Sequence, residues 1–304
     1  MTRIRKAVIP VAGLGTRLLP LTKALPKEML PILDKPVLQH TIEELVASGI
    51  EDITIVTSSR KALIQQHFAP DEDLDLRLRA DGKADLAEVL RDVVSQARIT
   101  YLYQDGPYGN GTPVLNAARV VGAEPFMVLW ADDVFTSAVP RARQLLDAHE
   151  RAGAPVLGLM AMEPAESRRY GVPVVREDLG SGLLRIGGIV EKPQPEDAPS
   201  GYASIGGYVV TPGVVTELER QVQRGRVDPK GEVYLSAAIH EVALREPVFG
   251  QVIDGTWWDT GNPLGYLRAQ FAAALAHPVY GPELRRMARE TPETEGGTET
   301  RPVP

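Results

Sequence analysis

Strand-like and helix-like hydrophobic patterns alternate through the first half of this chain, and the alternation limits its fold more than any other feature. Short apolar runs alternate with segments whose apolar residues recur at helical spacing. The predicted elements are a strand at Lys6 to Val11, a helix at Val37 to Ser48, a strand at Ile53 to Val56, a helix at Ala84 to Gln96, a strand at Ile99 to Tyr103, a helix at Thr112 to Val121, a strand at Phe126 to Trp130, a helix at Ala138 to Ala152 and a strand at Pro155 to Met160. This order predicts an α/β fold with a Rossmann-like, mostly parallel mixed sheet flanked by helices.

The second half of the chain has a different texture. From Tyr170 onward the segments are shorter and richer in Gly and Pro, which predicts a smaller antiparallel part. Arg268 to Ala276 has the spacing of a closing helix, whereas Thr291 to Pro304 is polar and predicted to be disordered. The acidic stretch Asp71 to Asp75 indicates a solvated loop. We predict one domain over residues 1–277 and a C-terminal extension over residues 278–304.

Composition excludes several classes of protein. The 304 residues are 43% hydrophobic, which suffices for an enzyme-sized core. The absence of cysteine excludes disulfides, thiolate zinc sites and a cysteine nucleophile, and the five histidines lack metal-ligand spacing. A net charge of −7 argues against nucleic-acid binding. Without a signal-peptide pattern or an apolar stretch long enough to span a bilayer, we predict a cytoplasmic protein with no membrane partner.

A glycine turn followed by cations comes directly after the first strand. Gly13 and Gly15 can adopt positive φ and let backbone N–H groups approach phosphate oxygens. Arg17, Lys23 and Lys27 add positive charge where a triphosphate would lie. This pattern favours a binding loop for a nucleoside triphosphate.

Three other interpretations fit this loop less well. A dinucleotide fingerprint needs a third glycine near Leu18 and then a helix, but Pro20 and Pro26 interrupt that segment. A P-loop needs Gly-Lys-Ser/Thr, whereas Gly15 is followed by Thr-Arg. A plain connecting turn explains the glycines but not the cations.

Several motifs together resemble bacterial UTP–glucose-1-phosphate uridylyltransferases. They are Gly13-Leu14-Gly15-Thr16-Arg17, Leu19-Pro20, Thr22-Lys23, Pro26-Lys27-Glu28-Met29-Leu30-Pro31, Gln104 with Gly109 and Gly111, Asp132-Asp133, Tyr170-Gly171-Val172, Glu191-Lys192-Pro193, and Asp259-Thr260-Gly261-Asn262 before Leu264-Gly265-Tyr266. The resemblance covers residues 4–277. It implies a nucleotidyltransferase fold of the glycosyltransferase-A type, with a nucleotide-binding part over about residues 1–160 and a sugar-binding part and closing helix over residues 161–277.

The resemblance also implies which residues bind the nucleotide, here UTP. The implied set is Ala12, Gly13, Gly15, Thr16, Arg17, Gln104, Gly109 and Gly111. The amide of Gln104 offers both a donor and an acceptor to a uracil edge. The family usually has His-Ala where this chain has Thr112-Pro113, so a turn-rich loop remains an alternative to a base pocket here.

Two carboxylates are implied ligands of Mg²⁺. Asp132 follows a hydrophobic strand, so its side chain is expected at the strand's carboxyl end, and hard oxygen ligands suit Mg²⁺. The resemblance adds Asp259 as the second ligand. Asp133 is the neighbour that could be confused with Asp132. Trp257, close to Asp259, is expected to be core packing with a polar tip.

The implied sugar site comprises Gly171, Glu191, Lys192 and Gly206. In the resembled family the glutamate binds sugar hydroxyls and the lysine binds the sugar phosphate. An alternating strand would place Glu191 and Lys192 on opposite faces unless it bends.

The expected reaction is attack by glucose 1-phosphate on the α-phosphorus of UTP, which gives UDP-glucose and pyrophosphate. Arg17 and Lys27 would neutralise the pyrophosphate and Lys192 would hold the incoming phosphate. These three residues and Asp132 form the predicted catalytic set, and the resemblance implies a homodimer or homotetramer. Ala237 replaces an acidic family residue near the sugar, so a thymidylyltransferase or another sugar-1-phosphate nucleotidyltransferase stays open. A catalytically silent nucleotide-sugar-binding paralogue and a dinucleotide-binding oxidoreductase are further alternatives.

Overall fold

A computed structural model describes residues 3–225 and 231–290 of the chain. Its strands are β1 (Lys6–Pro10), β2 (Pro31–Ile32), β3 (Lys35–Pro36), β4 (Asp52–Thr57), β5 (Arg98–Tyr103), β6 (Phe126–Leu129), β7 (Asp133–Thr136), β8 (Val156–Ala161), β9 (Gly171–Asp178), β10 (Leu183–Glu191), β11 (Tyr202–Val210), β12 (Val248–Val252) and β13 (Thr256–Asp259). Its helices are α1 (Val37–Ala47), α2 (Ala62–His67), α3 (Glu72–Ala80), α4 (Ala84–Ser95), α5 (Thr112–Val121), α6 (Arg141–Ala152), α7 (Pro212–Gln223), α8 (Leu235–Ala243), α9 (Pro263–Ala276) and α10 (Tyr280–Glu290).

A nine-stranded mixed sheet organises the described part of the chain. The strand order is β5-β4-β1-β6-β11-β8-β12-β10-β9, with a further pairing of β11 with β9. The pairings β5–β4, β4–β1, β1–β6 and β8–β12 are parallel, and those of β10 and β11 are antiparallel. Seven of the nine strands therefore share one direction, which confirms the predicted mostly parallel mixed sheet. The predicted antiparallel strands extend this same sheet.

Apolar side chains pack against both faces of the sheet because successive residues of a strand point in opposite directions. In β1, Ile9 joins a cluster with Leu38, Ile42 and other side chains of α1, whereas Val8 joins the opposite cluster beneath α5, α7 and α8. Burying one such aliphatic side chain stabilises the fold by roughly 1.5–3 kcal/mol. Helices on both faces hold the strand ends in fixed positions.

Most predicted elements of the first half are confirmed within one to three residues. Helix α6 starts at Arg141 because Pro140 precedes it, and α9 starts at Pro263, five residues before the predicted start. There the side chain of Asn262 accepts a hydrogen bond from the Gly265 N–H, which caps the helix.

The predicted loop at the acidic stretch is wrong, because these residues start helix α3. The Asp71 side chain caps the helix by accepting a hydrogen bond from the Leu74 N–H at 3.0 Å. Asp75 pairs with Arg79 one turn later and with Arg91 of α4. Local pairing of the acidic residues thus favours a helix.

Two further observations concern the chain as a whole. No helix among the described residues is long and apolar enough to cross a membrane. Helix α10 lies in the predicted C-terminal extension, and the predicted tail at residues 291–304 lies outside the described residues.

Candidate active site

The glycine turn after β1 forms a short irregular loop. Gly15 has φ +66°, and its carbonyl accepts hydrogen bonds from the Thr22 hydroxyl at 2.8 Å and from the Leu18 N–H at 3.0 Å. Open space surrounds Gly13. Three 3-10 turns follow, at Thr16–Leu18, Leu21–Lys23 and Lys27–Met29, where a dinucleotide fingerprint would continue into an α-helix. As predicted, no α-helix follows the glycine turn in the described segment that contains Pro20 and Pro26.

A buried ion pair ties this loop to the sheet. The ammonium of Lys61, after β4, lies 2.8 and 3.0 Å from the two carboxylate oxygens of Glu28. The same ammonium donates a hydrogen bond to the Val11 carbonyl at the end of β1. Burial raises the pKa of Glu28 and lowers that of Lys61, so each group depends on the other to stay charged. The pair fixes the backbone next to Lys27.

Lys27, in the loop after β1, contacts Asp132, which follows β6. Its ammonium donates a hydrogen bond to Asp132 Oδ2 at 2.5 Å. Burial alone would raise the pKa of Asp132, but the charge and hydrogen bond of Lys27 hold it below its usual value. Burial likewise opposes the charge of Lys27, yet Asp132 and Glu28 raise the pKa of this lysine. Asp132 is therefore ionised at neutral pH.

Asp133 lies beside Asp132 but faces different partners. Its Oδ1 accepts a hydrogen bond from the Trp257 indole at 2.8 Å. Its carbonyl accepts one from Arg141, which is buried and paired with Glu44 at 2.8 Å. Burial, together with the charge of Asp132, raises the pKa of Asp133 to about 7. Asp133 thus anchors the β7–β13 ladder. The Trp257 indole is the predicted polar tip, but the side chain is only partly buried and belongs to none of the core clusters of the described residues, so the predicted core packing is not confirmed.

Asp259 ends β13 on the other side of the same space. Its Oδ2 lies 2.8 Å from Arg169 Nη2, and its Oδ1 accepts a hydrogen bond from the Gly261 N–H at 3.0 Å. A Cβ on Gly261 would lie 2.6 Å from Asp132 Oδ2 and 3.1 Å from Asp259 Oδ1. The two carboxylates therefore face one small space, which only a glycine at 261 leaves open.

A cleft of about 250 Å³ collects most of the predicted catalytic and sugar residues. Its lining includes the predicted residues Arg17, Asp132, Gly171, Glu191, Lys192 and Asp259. It also includes Asn110, Arg169, Tyr234, Ser236 and Trp257, none of which was predicted as a site residue. Sequence position gave a signal for three of these residues, since Arg169 directly precedes the Tyr170-Gly171-Val172 motif, Asn110 lies between Gly109 and Gly111, and Ser236 directly precedes Ala237.

The backbone bends between Glu191 and Lys192. Lys192 has φ +49°, and its ammonium comes within 3.8 Å of Glu191 Oε1. The bend removes the expected separation onto opposite faces. Gly171, the first residue of β9, packs closely against β10, because a Cβ at this position would lie 3.0 Å from Ile189 and 3.1 Å from Glu191 Oε2. Ser236 donates a hydrogen bond to that oxygen at 3.0 Å.

The residues predicted to hold the base do not themselves line this cleft, although Asn110, between Gly109 and Gly111, does. Gln104 follows β5, where its N–H donates to the Thr57 carbonyl, and it does not line the cleft. A Cβ on Gly109 would lie 2.1 Å from the Val233 carbonyl oxygen, and one on Gly111 would lie 2.9 Å from the Val233 side chain. These glycines thus have a packing role, and base binding stays a prediction. Gly206 lies within β11.

A second cleft of about 250 Å³ lies against the loop. Its lining includes Thr16 from the predicted nucleotide set, and four cations at Lys23, Lys27, Arg60 and Lys61. Arg60, which was not predicted, follows β4. Ala12 connects β1 to the loop and is partly buried. The second cleft is the more cationic of the two and suits an anion of several charges.

The carboxylate pair fits a divalent cation that a bound phosphate would complete. No group of three or more His, Asp or Glu side chains within residues 3–225 and 231–290 is arranged to hold a metal alone. Mg²⁺ characteristically binds through one or two carboxylates plus substrate phosphates and water. Asp132 and Asp259 match that donor set.

Comparison with known sequences identifies the family of this chain. The family model described as "Nucleotidyl transferase" matches residues 6–274. The chain therefore belongs to the nucleotidyl transferase family, whose members commonly use a divalent metal.

Relatives narrow the assignment to UTP–glucose-1-phosphate uridylyltransferases. YngB of Bacillus subtilis carries that name and is 40% identical over 276 residues, covering 91% of each chain. The enzyme of that name from Streptococcus pneumoniae is 39% identical and covers 97% of this chain and 99% of its own.

Solved structures agree with these relatives. The UTP-bound UGPase of Acinetobacter baumannii has a TM-score of 0.85 at 32% identity and covers 94% of this chain and 99% of its own. A UDP-glucose pyrophosphorylase solved with UDP-glucose has a TM-score of 0.78 at 32% identity, over 88% of this chain and 98% of its own. A thymidylyltransferase-like structure from Bacillus anthracis, at 21% identity and a TM-score of 0.67, shares the fold alone.

Proposed function

We propose that this protein transfers the uridylyl group of UTP to α-D-glucose 1-phosphate, giving UDP-glucose and pyrophosphate. The observation that carries the proposal is the cleft that joins Arg17, Asp132, Lys192 and Asp259, with Lys27 bonded to Asp132. The names and bound nucleotides of relatives that match almost the whole chain support the choice of substrates.

The reaction needs no protein nucleophile. A phosphate oxygen of glucose 1-phosphate attacks the α-phosphorus of UTP in line and forms the new P–O bond. The bond from the α-phosphorus to the bridging oxygen breaks, and its electron pair leaves with pyrophosphate. Because the attacking phosphate is already anionic near neutral pH, no general base is required. Positioning and charge neutralisation supply the rate.

The charged residues of the cleft divide this work. Lys192 holds the incoming phosphate, and Glu191 accepts hydrogen bonds from sugar hydroxyls next to it. Arg17 and Lys27 neutralise the charge that develops on pyrophosphate. The proposed contacts to the phosphates are backbone N–H groups of Ala12, Gly13, Gly15 and Thr16. The proposed base loop comprises Gln104, Gly109 and Gly111. The proposed neighbours of the sugar are Gly171 and Gly206.

Asp132 and Asp259 are the proposed ligands of Mg²⁺. When bound, the ion would supply positive charge to the phosphate oxygens around the reacting phosphorus. The two carboxylates keep that charge in place, and Lys27 keeps Asp132 ionised.

The departures from the family pattern affect substrate choice. Thr112 is buried and donates a hydrogen bond to the Pro107 carbonyl at 2.6 Å, and Pro113 occupies the first turn of α5, where proline is favoured. Both residues therefore start the helix. Ala237 lies on α8 and lines a larger cavity of about 630 Å³ that also includes Glu191, the proposed ligand of the sugar. The substitution at position 237 therefore concerns the identity of the sugar and not that of the nucleotide.

The domain, assembly and location predictions complete the proposal. We keep residues 1–277 as one catalytic domain, supported by the single sheet that runs from Lys6 to Val252. A homodimer or homotetramer is supported by exposed apolar side chains along α9, among them Leu264, Leu267 and Phe271. The cytoplasm remains the proposed location.

Pyrophosphate release with Mg²⁺ tests the proposal across a grid of UTP, dTTP, ATP, CTP and GTP against glucose, galactose, mannose and N-acetylglucosamine 1-phosphates. We expect strong release only with UTP and glucose 1-phosphate. Preference for another sugar or for dTTP would keep the reaction and overturn the substrate assignment. No release from any pair, with UDP-glucose still bound, would favour the silent paralogue.

A further inference from the structure

We propose that Arg169 is a second ligand of the sugar phosphate. Its guanidinium forms an ion pair with Asp259 until a metal ion binds that carboxylate and displaces it. This inference rests on the proposed function for the substrate it names. The contact between Arg169 and Asp259 can be tested without that function.

Arg169 is placed at the entrance of the catalytic cleft. It ends the 3-10 turn Pro164–Arg169, immediately before β9. Its Nη2 lies 2.8 Å from Asp259 Oδ2, and its guanidinium carbon lies 5.1 Å from the centre of the Tyr170 ring. The side chain is 48% exposed, whereas that of Asp259 is 17% exposed. Arg169 can therefore move without disturbing the core, and Asp259 cannot.

A cation that binds Asp259 must compete with Arg169. A metal ion and a guanidinium on one carboxylate repel each other, and the repulsion is strong where little water screens it. Binding of a divalent cation between Asp132 and Asp259 should therefore release Arg169. The metal ion should displace Lys27 in the same way, because Lys27 forms an ion pair with Asp132.

The released guanidinium has an anion within reach. The backbone N–H of Lys192 donates to the Tyr170 carbonyl at 3.0 Å, so the proposed phosphate-binding lysine lies directly beside the residue that follows Arg169. Both side chains line one cleft. A guanidinium offers two parallel N–H donors that match two oxygens of a phosphate, whereas an ammonium acts as a point charge. Arg169 and Lys192 together suit a sugar phosphate with two negative charges.

Three variants separate this proposal from a structural role. Arg169→Met removes the charge, Arg169→Lys keeps the charge and loses the fork, and Arg168→Met is the matched control, since Arg168 is exposed on the same turn and does not line the cleft. Mn²⁺ binding to the nucleotide-free protein is measured by the loss of the free-ion electron paramagnetic resonance signal. The KM for glucose 1-phosphate and the KM for UTP are measured separately.

We expect changes of opposite sign in Arg169→Met. Its Mn²⁺ affinity should rise by about threefold or more, because a competing cation is gone, and its KM for glucose 1-phosphate should rise about tenfold, with the KM for UTP nearly unchanged. Arg169→Lys should bind Mn²⁺ like the wild type and still show a raised KM for glucose 1-phosphate. Arg168→Met should match the wild type in both assays.

The results that would overturn the proposal differ for its two parts, the competition with the metal ion and the binding of the sugar phosphate. An unchanged or weaker Mn²⁺ affinity in Arg169→Met, or no Mn²⁺ binding by the wild-type protein, overturns the competition at Asp259. An unchanged KM for glucose 1-phosphate overturns the phosphate role. If the wild-type protein releases no pyrophosphate with any substrate, the proposed function fails, while the Mn²⁺ titration still reports on Arg169 and Asp259.

Discussion

Removing the charge of Glu28 should destabilise the fold strongly, because the partner of this carboxylate cannot reach water. The side chains of Glu28 and Lys61 are 2% and 8% exposed, and the ammonium has both carboxylate oxygens and the Val11 carbonyl as acceptors. Breaking a buried ion pair from one side costs about 3–5 kcal/mol, since the remaining charge is left uncompensated. For Glu28→Gln that loss in the free energy of unfolding corresponds to a fall in Tm of about 10 °C.

Removing both charges should be far less harmful. Burial raises the pKa of Glu28 and lowers that of Lys61, so the isolated charges are unfavourable in this site. Glu28→Leu combined with Lys61→Met should lie within about 2 kcal/mol of the wild type, because apolar side chains of similar volume often replace a buried pair without loss. Urea unfolding of both single variants and the double variant measures the coupling.

An exposed ion pair provides the control. Arg98 lies 2.6 Å from Asp52, but the two side chains are 71% and 38% exposed, and Arg98→Ala should cost less than about 1 kcal/mol. If Glu28→Gln cost no more than this control, the reasoning from burial would be refuted. A double variant as unstable as the sum of the single variants would also contradict it.

Three further changes test the two clefts. Asp132→Asn should lower kcat by about three orders of magnitude, equivalent to about 4 kcal/mol, with Tm changed by only a few degrees; unfolding at a much lower temperature would contradict a catalytic role. Gly109→Ala should destabilise the protein by about 2 kcal/mol or more, because φ is +118° and the new Cβ would meet the Val233 carbonyl at 2.1 Å; a stable variant with a raised KM for UTP would instead favour base contact. Arg60→Ala should raise the KM for pyrophosphate about tenfold in the reverse reaction and leave the KM for glucose 1-phosphate unchanged, which Lys23→Ala should reproduce if the second cleft holds the leaving group.

Local sequence patterns predicted the elements that depend on local interactions. Helix α5 has its predicted bounds because Pro113 lies in its first turn, Gly122 follows its last residue and its apolar spacing is regular. Helix α3 was missed because four acidic residues within five positions were interpreted as a loop, although Asp71 is a cap and Asp75 precedes Arg79 by four residues. The error came from reading composition before cap and pair positions.

Contacts between distant parts of the chain could not be predicted in the same way. Gly109 was identified as a glycine that admits a ligand, yet its neighbour is Val233, which is 124 positions later. Arg169 differs from Arg168 in the sequence only in directly preceding the Tyr170-Gly171-Val172 motif, which does not indicate what its side chain contacts. Only the fold places Arg169, and not Arg168, beside Asp259. The strand pattern thus predicted the position of Asp132 after β6 and the family resemblance implied its role, whereas the partners of the cleft residues required the structure.

Pairing of opposite charges explains how so crowded a cleft can fold before any substrate enters. Each cation of three cation–carboxylate pairs lies within 4 Å of its partner, and the pairs are Lys27 with Asp132, Arg169 with Asp259, and Lys192 with Glu191. Unpaired charges in a partly buried site would each lose hydration without compensation, so the pairs reduce the cost of bringing them together. When a nucleoside triphosphate and its metal ion bind, the charged side chains of the cleft exchange partners. The metal ion binds carboxylates, and the phosphates bind the cations that are released. At Asp132 and Asp259, the metal alone would leave Lys27 and Arg169 unpaired, and the phosphates alone would leave the two carboxylates unpaired, so the metal and the phosphates should bind this cleft cooperatively.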